Sequence, residues 1–342
     1  QWQRQFKGAR DAGGDADDCA GVLLAFAYPD RIGRARGEAG RVLLSNGRGA
    51  QFSDAQSLTK AEYIVAAELD GAERDARIHL AAPLSAAALE RHFGAHIETC
   101  ESIAWDARER AVKSSRARRL GALVLESRPL AQPDADALLT AVLTGLRGEG
   151  LAALPWSPEL RQWQARVNLL RATTLDAHGG SDWPDLSDAA LLDSLQHWAP
   201  PWLEGITRAT HFGRIDLTHA LHAHLTHAQH MALAREAPTH FTVPSGSRIP
   251  IDYLDGEVPT LSVRLQEMFG LTRTPSTAGG RVPLLLKLLS PAGRPVQITR
   301  DLISFWERGY HEVKKDLKGR YPKHYWPDDP HTAVPTRRRR PS

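Results

Sequence analysis

Between Arg41 and Glu126 the chain alternates apolar and polar residues in short runs, which limits what its first third can become. Residues 41–44, 62–69, 74–80, 97–104, 110–118 and 122–126 each read as a strand. Asp70-Gly71 marks a hairpin turn, and Ser85 caps a short helix over 86–93. Five or six short antiparallel strands interrupted by one helix predict a small closed β-barrel of the oligonucleotide-binding (OB-like) type over 38–130. An SH3-like barrel would give much the same pattern. Before it, an apolar run from Cys19 to Tyr28 ending at Pro29 predicts a buried helix, and Arg31, Arg34, Arg36 and Arg41 lie in a Gly-rich loop.

From 131 to 237 the period becomes helical, and 134–146, 158–175, 187–198 and 216–235 form a helical connector with Asp134, Ser157, Ser187 and Asp216 as caps or first-turn acids. A second, smaller α+β domain follows over 238–330. Its hairpins are 241–243 with 248–252 and 282–289 with 295–299, separated by a short helix over 261–269 and covered by a last helix. The fold class is therefore α+β, with an OB-like barrel, a helical layer and a second α+β domain. Residues 331–342, with Arg337 to Arg340, read as a disordered basic tail.

The last helix carries the most chemistry. Thr299 caps it, Asp301 sits in its first turn, and Lys314, Lys315 and Lys318 crowd its end before Gly319. Leu302, Trp306, Val313 and Leu317 make an apolar stripe, and Trp306 on that stripe reads as core. Beyond it, Arg320, Lys323, Tyr325 and Trp326 interleave cations with rings among prolines, a composition suited to single-stranded nucleic acid. A dipole-matched, solvated helix end explains the lysines equally well, and Tyr325 and Trp326 could be a lid folded over the domain. Arg116 and Arg118, with Arg108, Arg110, Lys113 and Arg119, decorate two of the barrel strands. That face either holds a phosphate backbone or is the wet side of a sheet. Arg48, in the turn Ser45-Asn46-Gly47-Arg48-Gly49, is a further phosphate candidate.

Formal net charge is only +3, but from 281 onward Lys and Arg outnumber Asp and Glu, so the C-terminal end is the basic pole. Cys19 and Cys100 are too few for a disulfide framework and fit a reducing compartment, and no apolar run is as long as a membrane span, so the expected location is the cytoplasm, with no membrane partner. The chain opens without Met on what reads as the tail of an amphipathic helix, as a piece of a longer polypeptide would.

His219, His222, His224, His227 and His230 share one predicted helix, but no HExxH pattern or nearby cysteine completes a zinc set, and a polar His-rich face is the simpler reading. Pro244-Ser245-Gly246-Ser247 lacks the GxSxG of a nucleophile elbow. No GxxxxGK[ST] run is present, so no nucleoside triphosphate site and no cofactor site is expected on this chain.

Several stretches resemble the C-terminal half of the HrpB family of bacterial DEAH-type ATP-dependent RNA helicases: AFAYPDRIGRARG from Ala25, LLSNGRGA from Leu43, VAAELDG from Val65, APTHFTVPSGSRIPIDY from Ala237, LSVRLQEMFGL from Leu261, LLLKLLSPAGRPVQITRDLISFW from Leu284 and KKDLKGRYPKHYWPDDP from Lys314. The resemblance implies that residues 1–37 end a helical bundle, that the barrel is the oligonucleotide-binding fold of such helicases, and that the remainder is the family's own extension. ATP and Mg would belong to motor domains not found in this sequence. The partners implied are single-stranded RNA and those motor domains. The rival expectation is a structural or protein-docking extension that braces the motor or recruits a partner.

Overall fold

Five strands close the barrel: β1 (Ile32–Ala35), β2 (Arg41–Leu44), β3 (Gly49–Phe52), β4 (Tyr63–Leu69) and β5 (Asp75–Leu84), in the order β1-β2-β3-β5-β4. The computed structural model describes residues 16–38, 40–54, 56–70 and 75–340. These fall into two compact units, one through Ala141 and one from Val142.

Period-two alternation gives β4 two buried faces. Ile64 and Ala66 point into the barrel with Val42, Leu44, Ala50, Ala76 and Ile78. Tyr63 and Val65 point outward into a second core with Ala25, Leu84, Leu89, Phe93, Leu120 and Leu123. All neighbours in the barrel pair antiparallel except β3 with β5. The turn expected at Asp70-Gly71 lies partly outside the described residues, while Asp70 Oδ1 accepts from Arg77 N at 2.8 Å.

The expected barrel was too long and missed two of its strands. β1 falls where a Gly-rich loop was expected, and β3 follows the tight turn at Gly47. Gly33 hides β1 from a pattern reading, yet a Cβ there would lie 2.4 Å from Val42 Cγ1, so the strand needs a glycine to seat against β2. Once β1 pairs with β4 no edge is left open, and the later strands cannot enter. They form a separate antiparallel sheet of β6 (Glu98–Asp106), β7 (Ala111–Leu120) and β8 (Leu123–Pro129). Residues 98–102 of β6 are exposed on both sides, which suits such a sheet and not a barrel wall. Arg34 ties the two parts together, donating to the carbonyls of Val124 and Leu125.

Helix α1 (Ala16–Ala27) is not buried as expected: Ala25 is, but Leu23 and Phe26 are 70% and 58% exposed. It seats against β5 at Gly21, where a Cβ would lie 1.9 Å from the Pro83 carbonyl oxygen. Ser85 caps α2 (Ala86–Phe93), accepting from Ala88 N.

Beyond the sheet β6 to β8 the expected caps act. Asp134 at the head of α3 (Ala135–Glu149), Ser157 before α4 (Pro158–Thr173) and Ser187 before α5 (Asp188–Asp193) each accept from a backbone N–H three residues on. Helix α5 hands over at Ser194 to α6 (Leu195–Trp198). The helix expected over 216–235 is two, α7 (Leu217–His222) capped by Asp216 and α8 (His227–Glu236) started by a capping box of Thr226 and Gln229.

A five-stranded sheet runs β15-β14-β11-β10-β9, with β9 (His240–Thr242), β10 (Arg248–Asp252), β11 (Thr260–Arg264), β14 (Leu285–Leu289) and β15 (Pro295–Thr299); β12 (Ser276–Thr277) and β13 (Val282–Pro283) pair apart from it. Strand β11 replaces the short helix expected over 261–269. Leu261, Leu265, Met268 and Phe269 fit a helical stripe, but Leu261, Val263 and Leu265 are buried while Ser262 and Arg264 are exposed, so period two wins. Paired antiparallel with β10 and parallel with β14, β11 joins what were expected to be separate hairpins.

The last helix, 302–320, is capped by Asp301, not Thr299, and passes through a π turn at Phe305–Gly309 before continuing to Arg320 beyond the expected stop at Gly319. Trp306 is buried, its Nε1 donating to the Leu271 carbonyl at 3.0 Å. Tyr310, a further core residue, donates to the Pro327 carbonyl.

Of the histidines, His222 and His230 lie together, with ring centroids 5.4 Å apart, and His219 and His224 pack against separate rings. His222 stacks on Trp163 at 4.4 Å, His224 meets Trp198 edge-on and His219 lies beside Trp202. No group of three or more possible metal ligands converges among the described residues. Burial pushes the pKa of His222 and His224 down, and the fields of His230 and His219 lower His222 further. The buried Nε2 of His224 has no hydrogen-bond partner among the described residues.

Two outcomes follow from this packing. Gly21→Ala should destabilise the first unit by about 1–3 kcal/mol, as forced overpacking does, whereas Gly94→Ala, whose Cβ meets nothing within 4 Å, should change urea unfolding little. For His222 and His224 the folded pKa lies below the unfolded value, so their contribution is complete above the ordinary 6.5 and is lost as pH falls through the folded values. Thermal midpoints measured downward from pH 7.5 should fall, and His222→Gln/His224→Gln should flatten that fall.

Candidate nucleic-acid interface

Opposite charges stand across from each other in the first unit. Glu101 on β6 is in register with Arg116 on β7, and the two side chains pair at 2.6 Å. Arg118 grips Glu90 of α2 with both terminal nitrogens at 2.8 Å, which holds the carboxyl of Glu90 below its ordinary pKa. Lys113 does the same to Asp106 at 2.7 Å, lowering that carboxyl to about 2. Arg34 pairs with Glu62 and Arg128 with Glu126. The arginine-bearing strand face is therefore largely neutralised. Arg48 is exposed in its turn, which is fixed by Arg48 N donating to Asn46 Oδ1 and by the left-handed backbone of Gly47.

The expected C-terminal site divides. The Lys314 side chain is only 13% exposed and pairs with Asp328, whose carboxyl it holds below its ordinary pKa. Arg320 pairs with Asp316 one turn back at 3.1 Å. Lys315, Lys318 and Lys323 are exposed and make no ion pair among the described residues. Tyr325 and Trp326 are half-buried: Tyr325 packs edge-on to Phe269, and Trp326 Nε1 donates to the Tyr321 carbonyl at 2.9 Å. As stacking platforms they present only part of their rings.

The segment expected to be a disordered tail is docked up to Arg340, because its backbone finds partners on the domain. Gly270 N donates to the Pro330 carbonyl, Thr336 N to the Gln266 carbonyl and Tyr325 N to the Arg339 carbonyl. The buried side chain of Gln266 donates to the Arg338 carbonyl at 2.8 Å, and Ala333 and Thr336 are buried. Arg337 Nε donates to the Ser245 carbonyl at 3.2 Å. Glu267, also buried, accepts from the hydroxyls of Ser245 and Ser247, giving that turn a structural role.

All four side chains from Arg337 to Arg340 remain exposed, and none reaches a carboxylate among the described residues. Exposed Arg264 belongs with them: burial first, then the fields of Arg339 and Arg264, lower the pKa of His324. A fixed backbone thus presents a strip of unneutralised guanidinium groups. By composition alone these arginines belong to a solvated tail and not to a site; the faint signal for their docking is the small apolar Ala333-Val334-Pro335 before Thr336.

No described helix is long and apolar enough to cross a membrane. Residues 198–330 match the family model for the ATP-dependent helicase C-terminal region, and residues 96–130 match the model for the connector region of the ATP-dependent RNA helicase HrpB, which coincides with the sheet β6 to β8. The ATP-dependent RNA helicase HrpB of Escherichia coli (strain K12) is 41% identical over 339 residues, an alignment that covers 98% of this chain and 41% of the relative. The chain thus spans about two fifths of the length of the curated relative it matches. A crystal structure of E. coli DExH-box NTPase HrpB superposes with a TM-score of 0.58 at 41% identity, over 93% of this chain and 39% of that one. Another, of Escherichia coli DEAH/RHA helicase HrpB, gives 0.50 at 36% identity over 90% and 38%. In its sequence from end to end, and in its fold, the chain belongs to the HrpB family and corresponds to the C-terminal region of its members.

Proposed function

We propose that this chain is the accessory, nucleic-acid-gripping portion of an ATP-dependent RNA helicase, acting with motor domains of the same polypeptide that would hold ATP and Mg. The observation that carries the reading is the docked strip of Arg337 to Arg340 beside Arg264. Backbone immobilised through Gln266 and Tyr325 removes much of the ordering cost that a loose basic tail would incur on binding. Guanidinium groups suit phosphate oxygens, and Lys315, Lys318 and Lys323 add charge from the last helix and the turn after it. The barrel order β1-β2-β3-β5-β4, closed through one parallel pair, matches an OB-type Greek-key barrel, a scaffold that favours oligonucleotide ligands.

In this reading Arg116 and Arg118 are secondary, because Glu101 and Glu90 already neutralise them. Tyr325 and Trp326 contribute through the faces they leave open, and Arg48 from its exposed turn. One observation favours the rival, a bracing or docking extension: those two rings and Lys314 are substantially packed into the domain.

A labelled single-stranded RNA titrated at several salt concentrations separates the two. The gripping role predicts a steep salt dependence, in which each neutralised phosphate accounts for about 0.7 of the log-log slope. Arg338→Ala, Arg339→Ala and Arg340→Ala combined should reduce the slope, and Arg116→Ala with Arg118→Ala should leave it nearly unchanged. Absence of binding even at low salt, or a slope indifferent to the tail arginines, would leave the bracing role in possession.

A further inference from the structure

Arg166 is an arginine buried without a carboxylate. It is 8% exposed, and among the described residues its guanidinium donates only to the carbonyls of Ala237 and Leu233, at 2.5 and 3.3 Å, which close the C-terminal end of α8. A helix end supplies roughly half a negative charge, so part of the cation is left unbalanced. Those two bonds use Nε and Nη2, and Nη1 donates to nothing among the described residues. Arg166 also lines a cavity of about 520 Å³ between α4 and the strands β9, β10 and β11.

The cavity lining combines polar and apolar groups. Trp163, Pro250, Ile251 and Tyr253 supply the apolar walls. One turn of α4 before Arg166, Gln162 donates from Nε2 to Asp252 Oδ1 at 2.7 Å and accepts from Tyr253 N, which fixes the exposed Asp252 at the rim. Leu254 N donates to that same Oδ1. The hydrogen bond from Gln162 first, and then the backbone donors, hold this carboxyl below its ordinary pKa, so it stays an acceptor. The site thus offers donors from a buried guanidinium, acceptors from an exposed carboxylate, and apolar surface from Trp163, Pro250, Ile251 and Tyr253.

We propose that this cavity takes one unpaired guanine base of a bound RNA strand. Guanine carries O6 and N7 acceptors on one edge, the pair that a guanidinium recognises bidentately, and N1–H and N2–H donors on the adjoining edge for Asp252. Its plane fills the apolar slot, as splayed-out bases do in single-strand recognition. Adenine replaces O6 by a donor, which would face Arg166 donor to donor, and the pyrimidines lack the second ring. The inference rests on the RNA-gripping reading for its ligand's source, while its geometry is independent of the arginine strip.

Guanosine and adenosine, both uncharged, test it by isothermal titration of the whole chain. Guanosine should bind at least about tenfold more tightly than adenosine, the discrimination expected of one bidentate base contact. Asp252→Asn, a change at an exposed position, should remove most of that preference without altering the thermal midpoint; Arg166→Lys should weaken guanosine and, having lost a fixed fork, also lower the midpoint. Equal binding of the two nucleosides, binding of neither, a preference that survives Asp252→Asn, or saturable binding of free leucine in their place would each overturn the assignment. Guanosine needs no phosphate contact, so loss of RNA binding with guanosine selectivity intact would count against the gripping role alone, and the converse against the pocket alone.

Discussion

The C-terminal strip depends on one buried amide. Gln266, 3% exposed in the 3-10 turn that follows β11, binds the tail through its backbone carbonyl to Thr336 and through its side chain to the Arg338 carbonyl, while Oε1 faces His324 Nδ1 at 3.3 Å. A buried amide left without partners costs about 1–3 kcal/mol, so the same groups that satisfy Gln266 hold the tail down. With the carbonyls of Arg338 and Arg339 turned inward, the side chains have only the outside left to them. Anchoring the backbone and exposing the charge are consequences of a single arrangement.

Counting cations along the sequence treats every arginine alike, but the two units use them differently. In the sheet β6 to β8, cross-strand register brings Glu101 opposite Arg116, and α2 carries Glu90 to Arg118. Such exposed pairs contribute little stability each, and they cancel the field a phosphate would feel. In the second unit Arg264, Lys315, Lys318, Lys323 and the tail arginines make no ion pair among the described residues, and the depressed pKa of His324 reflects its burial and then the crowding of positive charge beside it. Phosphate arriving there would relieve repulsion as well as add attraction.

How much of this could be read in advance follows from the range of the interactions involved. Helix caps are local, and Ser85, Ser157, Ser187 and Asp216 act where the sequence placed them. The existence of a closed barrel was legible from alternation, but its membership was not, because β1 is made a strand by Leu44 and Ile64 across from Gly33 and not by any pattern of its own. Strand β11 carries residues that fit both periods, and only pairing with β14 decides between them. The tail lacked any local signal strong enough to overcome its charge, since what orders it is Gln266, some seventy residues earlier in the chain. The family resemblance was legible from contiguous motifs, for which distance in the fold is irrelevant.

Affinity and selectivity for a nucleic acid come from different physics. Phosphate contacts fix a strand in place with no regard to its sequence, and base edges carry the information. A strip of exposed arginines can supply only the first, because its charge is felt alike by every nucleotide. The buried pairing of Arg166 with the end of α8 keeps a guanidinium out of solvent, where it would be one more phosphate contact, and leaves it lining a slot that a carboxylate also lines. A phosphodiester entering that slot would meet Asp252 and Glu159 as like charges at the rim, whereas a neutral base would not. The same residues that make the cavity a poor place for backbone make it a discriminating one for a base.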